Sequence, residues 1–403
     1  MKKIQKIVVL WPGRFRDHEY YKYELNFLNQ TYKLEIHNLE INSILLPNSK
    51  QTFKNFKNEI KQKNFNIFTF RDFKNWKKKT NALLQNEKVF FISFLSLNFF
   101  SSYKYLKYLV ENKQKILEFS NFGFPNYEKN SEKNIWLILQ KIKSFISRPK
   151  WGLVTLENIF AQFLFKFILF QKINKKNFFI LCVNKNEMSS TIKTTFNLVL
   201  GSSWDFSKKL ISKKKFFKFK NYGLFLANPG PKEFSDSSKI GQKYFTDSET
   251  YFSSLHKFLS TVEKKYKTNI FIALHPKVLR KNQNKIYKRQ TFYGKTEQLV
   301  KNAKFVISTT STSISFPIIY NRPLHLIYSN DYNKDLRLKK MTFHLAEILK
   351  IKKFNIDKFL LPKKREFLKK INKNILKDYK ENYLSNNYIK IPNYKIIKKL
   401  INE

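Results

Sequence analysis

The chain has 403 residues, 42% of them hydrophobic, with only eight glycines and eleven prolines. That is enough apolar material for two ordinary domains, and too little Gly and Pro for a collagen-like or low-complexity chain. The formal charge is +49, from 69 Lys and 9 Arg against 29 acidic residues. Lys is spread along the whole chain among Asn, Ile and Phe, all residues of A/T-rich codons, and Arg, the better base reader, is scarce. No specific nucleic-acid partner is therefore expected; an anionic membrane surface remains a candidate partner.

In chain order, Lys6 to Trp11 (KIVVLW) predicts a buried strand, followed by a Pro12-Gly13 turn and a helix over Asp17 to Asn29. Further strands are predicted at Lys33 to Leu39, Asn66 to Phe70, Lys88 to Phe94, Phe178 to Val183 and Phe196 to Leu200. Strands alternating with helical stretches at this spacing imply βαβ units and a parallel sheet. The Lys213-Lys214-Lys215 run marks a solvated connection, with a domain boundary between about 205 and 220. A second series then begins with a strand at Tyr222 to Ala227, stopped by Asn228-Pro229-Gly230-Pro231. A helix over Glu249 to Tyr266, capped by Asp247 or Ser248, carries Tyr251, Phe252, Leu255, Phe258, Leu259 and Val262 at helical spacing. Then follow a strand at Asn269 to Leu274, a helix at Thr296 to Ala303 and a strand at Lys304 to Ile307. A helix at Ser313 to Tyr320 and a strand at Leu324 to Tyr328 complete the series. The fold class expected is α/β, two Rossmann-like parallel-sheet domains facing a cleft: 1–215, 216–330, and a C-terminal helical extension over 331–403 packing back.

The single Cys182 excludes an intrachain disulfide framework. Met1-Lys2-Lys3-Ile4 leads straight into a strand-like run with no signal core, so a cytoplasmic protein is expected. Ile159 to Phe170, the most apolar window, is broken by Gln162 and Lys166 and is shorter than the roughly 20 residues needed to span a bilayer. It reads as a buried or interdomain helix, with an interfacial membrane helix as the alternative.

Two polar loops in the second series stand where open parallel sheets bind ligands, beyond the strands' carboxyl ends. One is His275-Pro276-Lys277, after NIFIAL; the other is Ser308-Thr309-Thr310-Ser311-Thr312-Ser313, opening a helix after KFVI. Free N–H groups at a helix start, hydroxyl donors and a basic His or Lys suit a phosphate, and parallel neighbouring strands would bring the loops side by side. Each element also has an ordinary use: Ser or Thr before a helix caps it, and a lone His is more often structural. No Asp-x-Asp and no Cys/His spacing for zinc occurs, so no metal and no bound cofactor is expected. His37, His256, His325 and His344 show no constellation in the sequence.

The stretch from Tyr222 to Tyr328 resembles the nucleotide-binding domain of GT-B glycosyltransferases of bacterial surface-polysaccharide synthesis. The likeness rests on Tyr251, Phe252 and Leu255, the strand ending Ala-x-His-Pro-Lys, Thr296 to Val300, Ser311-Thr312-Ser313, and Arg322-Pro323. It is similar to the His-Pro and Ser/Thr motifs of sialyl-, polysialyl- and Kdo-transferases of capsule and lipopolysaccharide synthesis. It covers about a quarter of the chain; the N-terminal half matches in architecture alone. It implies a transferase taking a nucleotide-sugar donor, CMP-linked, to a glycan or lipid-linked acceptor, peripheral at the inner face of the plasma membrane. Domain 216–330 would bind the donor through His275, Pro276, Lys277, Thr310, Ser311, Thr312, Ser313 and Gly230, and domain 1–215 would face the acceptor. The family's acidic residues after the first strand are replaced here by Asn228 to Glu233, with Glu233 and Asp236 displaced. An inverting, metal-independent transfer needs a base within reach of the acceptor hydroxyl. Asp17, His18 and Glu19, after the Pro12-Gly13-Arg14 turn, are the candidates, although Asp17 also fits a helix cap. A nucleotide-sugar epimerase or polyol-phosphate transferase shares the architecture, and a non-catalytic nucleic-acid or membrane-binding protein would account for the charge.

Overall fold

A computed structural model describes residues 4–13, 15–39, 65–95, 100–119, 149–185, 188, 190–211, 219–227, 248–275, 283–331, 336–385 and 389–403. Arg14, Lys213 to Lys215, Asn228 to Asp236 with Gly230, Asp247, Pro276 and Lys277 lie outside the described residues. The described residues form two compact units. The first holds those up to Phe119, Pro149 to Leu210 and Ser385 onward; the second holds Ile211 to Leu384.

The first unit is built on seven parallel strands: β1 (Lys6–Pro12), β2 (Lys33–Leu39), β3 (Asn66–Phe70), β4 (Val89–Ser93), β5 (Lys115–Phe119), β6 (Phe178–Cys182) and β7 (Asn197–Leu200). Their order is β3-β2-β1-β4-β5-β6-β7. Strands of a sheet covered on both sides read as continuous apolar runs, and KIVVLW is such a run, buried throughout from Lys6 to Trp11. Ile7 and Val9 pack on one face with the Asn393–Asn402 helix (Ile397, Leu400); Val8 and Leu10 pack on the other with Trp76, Tyr105 and Phe165. The expected Asp17 to Asn29 helix is two short helices, Asp17–Lys22 and Leu25–Leu28. Glu24 between them is left-handed (φ 57°), which breaks the hydrogen-bond ladder. β5 was not expected from the sequence.

The second unit has six parallel strands: β8 (Gly223–Leu226), β9 (Ile270–Leu274), β10 (Thr291–Tyr293), β11 (Phe305–Ser308), β12 (Leu324–Tyr328) and β13 (Lys353–Asn355). They are ordered β10-β9-β8-β11-β12-β13. Gly223 permits a close approach, because a Cβ there would lie 2.3 Å from the Phe305 ring. The Ser248–Tyr266 helix buries Leu255, Phe258, Leu259 and Val262 against Phe225, Ile272 and Ile307, matching the apolar spacing read from the sequence. The region beyond 331 is not purely helical, since β13 adds an edge strand beside β12. It is also divided: the Leu336–Ile348 and Lys373–Tyr379 helices belong to the second unit, and residues from Ser385 belong to the first. The two parallel-sheet α/β halves expected from the alternating pattern are both present.

Candidate functional site

The winding direction of the second sheet reverses at β8, which has β9 on one side and β11 on the other. Such a switch point opens a crevice beyond the strands' carboxyl ends. His275 and the Ser308–Ser313 run flank it, but they do not follow neighbouring strands: β8 pairs with both β9 and β11 and separates them. Two strand spacings amount to about 10 Å. Sequence order does not fix strand order, so the expected side-by-side placement becomes a placement across the mouth of β8. His275 follows β9 directly and is half-buried.

The hydroxyl residues divide by task. Ser308 ends β11 in register with Leu226 of β8, and its Oγ donates to the Thr309 carbonyl at 2.6 Å. Thr310 is buried and hydrogen-bonds Thr342 of the Leu336–Ile348 helix. Thr342 Oγ1 already donates to the Leu338 carbonyl at 2.9 Å, so Thr310 supplies the proton between the two threonines. That bond ties the loop to the helix. Thr309 Oγ1 is buried without a hydrogen bond. Ser311 Oγ accepts from Ser313 N at 3.3 Å, and Ser311 O from Ile314 N at 3.2 Å. Ser311 and Ser313 are half-buried. The helix that follows is shorter than expected: Thr312 opens a 3₁₀ turn to Ile314, and the α-helix spans only Ser315–Ile319. Its dipole is correspondingly small, and the donors here are hydroxyls and local N–H groups.

In the first unit, Pro12 ends β1 and Gly13 turns the chain at φ 94°, its N–H donating to the Leu39 carbonyl at 2.7 Å. Phe15 N donates to Asn38 Oδ1 at 3.1 Å, so β2 fixes this loop at the sheet's carboxyl edge. Asp17 and His18 are half-buried there. Glu19 is buried, and its Oε2 accepts from Arg16 N at 2.7 Å, the reach-back of a helix-capping carboxylate. His18 Nε2 stands 3.8 Å from Glu19 Oε1.

Two polar features of this unit escape sequence reading. Glu118 lies on β5 and shares a sheet face with Ile116, beneath the Phe100–Glu111 and Pro149–Leu164 helices. Its Oε2 makes no hydrogen bond, and burial pushes its pKa up to about 8. Ser101 and Ser102, at the start of the Phe100–Glu111 helix, also hold buried hydroxyls without partners. The second feature is a charged chain through the interior. Lys6 Nζ donates to Glu87 Oε1 at 2.8 Å and to Glu35 Oε1 at 2.9 Å. Glu35 Oε2 lies 3.4 Å from His37 Nε2, and Trp76 Nε1 donates to His37 Nδ1 at 3.2 Å. Indole N–H can only donate, so Nδ1 carries the lone pair and Nε2 the proton of a neutral imidazole. Burial lowers the His37 pKa, the Glu35 carboxylate opposing it. Burial also opposes ionisation of Glu35, but hydrogen bonds from His37 and Lys6 outweigh it and hold its pKa near 2. His37, without company in the sequence, thus sits inside a five-residue chain.

Among the described residues no three His, Cys, Asp or Glu come together as a metal-binding group. Among them, too, no helix is long and apolar enough to cross a membrane.

No known protein family's profile matches the chain. No characterised protein matches it in sequence. Solved structures similar to it include the calicheamicin glycosyltransferase CalG4, at 7% identity and TM-score 0.49 over 98% of each chain. Arabidopsis thaliana UGT89C1, solved with quercetin, is similar at 10% identity and TM-score 0.49 over 99% of each chain. The UDP-GlcNAc 2-epimerase of Methanocaldococcus jannaschii is similar at 9% identity and TM-score 0.49, over 98% of this chain and 100% of that one. Identities this low carry no site residue from those proteins onto this chain.

Proposed function

We propose that the chain is a GT-B glycosyltransferase that moves a sugar from a CMP-linked donor to a glycan or lipid-linked acceptor. The observation that supports it best is the Ser308–Ser313 hydroxyl run at the end of β11, beside the β8 switch point, with His275 across that mouth. Together with Pro276, Lys277 and Gly230, these residues form the donor side of the reading. The acceptor oxygen attacks the anomeric carbon as that carbon's bond to the phosphate oxygen breaks. The electron pair leaves with the phosphate, and the acceptor's proton passes to a base. Ser311, Ser313 and His275 would donate to the charge growing on the leaving phosphate, where preorganised donors are worth several kcal/mol of barrier. Thr310 holds the loop through Thr342.

The base candidates are Asp17, His18 and Glu19. Glu19 is the weakest of the three expected candidates, because its carboxylate already accepts from Arg16 N. Asp17 and His18, both half-buried after the Pro12-Gly13 turn, stay in the reading.

Thermal melting of the full chain against CMP, CDP, UDP, GDP and ADP tests the reading. CMP is expected to raise the midpoint by several degrees, and His275→Ala and the pair Ser311→Ala/Ser313→Ala to abolish the rise. Stabilisation by UDP instead would move the donor class toward UDP-sugars and give the epimerase reading a footing. No response to any nucleotide would overturn the proposal.

A further inference from the structure

The Pro149–Leu164 helix runs on through a π turn at Phe165–Leu169 into Phe170–Lys172. Its inner side is Glu157, Ala161, Phe165 and Leu169, all buried. Its outer side carries Leu156, Ile159, Phe160, Phe163, Phe167 and Ile168, each 37–58% exposed. Those six are spaced to form one stripe. They account for six of the eleven exposed large hydrophobic side chains among the described residues; the other five are scattered singly. The rings of Phe163 and Phe167 pack on each other, centroids 4.7 Å apart. An apolar stripe of this kind marks a contact surface.

Cations accompany it. Lys166 Nζ lies 5.5 Å from the Phe167 ring centroid. Beyond the helix end, Lys175, Lys176, Lys185 and Lys193 line an open groove of about 530 Å³ with Phe196, and no acidic residue is among the described residues that line it. The groove adjoins the helix, because the Phe196 ring packs 4.9 Å from that of Phe170. A second copy of this chain is a poor occupant: each copy carries +49 and they repel. Aromatic and aliphatic side chains on one side of a helix, flanked by lysines, instead fit the boundary between acyl chains and anionic headgroups.

We propose that this face docks the first unit on an anionic lipid bilayer, with the Leu156–Ile168 stripe entering the interface and the lysine groove receiving lipid phosphates. The helix lies in the membrane surface and does not cross it. The proposal is independent of the transferase reading, and its test uses no nucleotide or acceptor.

Flotation of the full chain with phosphatidylcholine vesicles, with and without phosphatidylglycerol, is the measurement. Retention is expected on the anionic vesicles and not on the neutral ones. The triple variant Phe160→Ser/Phe163→Ser/Phe167→Ser should weaken it about tenfold with its circular dichroism unchanged. Lys175→Ala/Lys176→Ala/Lys185→Ala should weaken it about a hundredfold, at roughly fivefold per lysine, and flatten the salt dependence. Lys257→Ala/Lys264→Ala, on the Ser248–Tyr266 helix, should change it little. Phe163→Trp should give fluorescence that shifts to the blue on the anionic vesicles. Equal retention of the triple variant, an equal loss in the Lys257/Lys264 control, or no blue shift would overturn the proposal. So would a dimer in ultracentrifugation that the triple variant dissolves.

Discussion

In the first unit, Lys6, Glu35, His37 and Trp76 bond to one another side chain to side chain inside the sheet–helix interface, and Glu118 is buried nearby in the same face. In the second unit, three large buried polar side chains turn to the main chain instead. Tyr222 donates to the Leu299 carbonyl at 2.7 Å, Tyr266 to that of Pro362 at 2.7 Å, and His325 Nε2 to that of Phe367 at 2.7 Å. The two tyrosine-to-carbonyl bonds change little with pH, whereas burial lowers the His325 pKa to about 4, so that this ring charges only at the acid end. A chain of titratable groups is complete only in one protonation pattern, and losing one member strands the others in low dielectric. The comparison therefore assigns to the first unit the pH sensitivity of a linked side-chain network, and to the second that of the single ring of His325.

The strongest way to break that assignment is Glu35→Ala. It leaves Lys6 with Glu87 alone and His37 without an acceptor, and should cost about 3–5 kcal/mol. Hydrogen exchange should show the loss in β1 and β2 amides and not in β8 and β9. The wild-type contribution follows from a depressed carboxyl pKa: it is present above about 4.5 and lost as pH falls toward about 2. An equal loss in both units would remove the distinction drawn here.

An effect of opposite sign is expected from Glu118→Gln. Because the carboxyl pKa is raised, its penalty is absent below about 4.5 and grows as pH rises toward about 8. The variant should stabilise the first unit at pH 8, by at most about 4–5 kcal/mol, and by nothing at pH 4. Chemical denaturation at the two pH values measures it, and a gain that does not depend on pH would show that ionisation is not the cause.

Thr310→Val sharpens the second half of the comparison with the smallest effect. It removes the bond to Thr342 at a cost of about 1 kcal/mol, at any pH from 4 to 8. Nucleotide stabilisation should persist in it and be lost in Ser311→Ala/Ser313→Ala. Loss in both would place Thr310 at the ligand.

The strands buried on both faces, such as KIVVLW and NIFIAL, were legible because the requirement for apolar cover is written residue by residue. β5 was not: KILEF starts with Lys115 and carries Glu118 as its fourth residue, charges that interrupt the apolar run. The three-residue edge strands β10 and β13 are too short to show alternation. Glu24 stops the expected first helix in a left-handed conformation that no Gly or Asn announces. The Ser/Thr run was visible as a site candidate, whereas the insertion of β8 between it and His275 depends on strand order. The His37–Trp76 bond joins residues 39 apart in sequence, beyond any local pattern.

The last helix, Asn393–Asn402, supplies Ile396, Ile397, Leu400 and Ile401 to the first unit's core. Asn393 accepts from Ser202 N and donates to the Ser202 carbonyl, while its own N–H donates to Ser207, about 190 residues upstream. During synthesis the usual order is therefore reversed. The second unit has all its residues once Leu384 has left the ribosome, while the first, begun earlier, waits with an open apolar face until the last helix arrives. A nascent chain stalled between these points would carry one finished unit and one that still needs a chaperone.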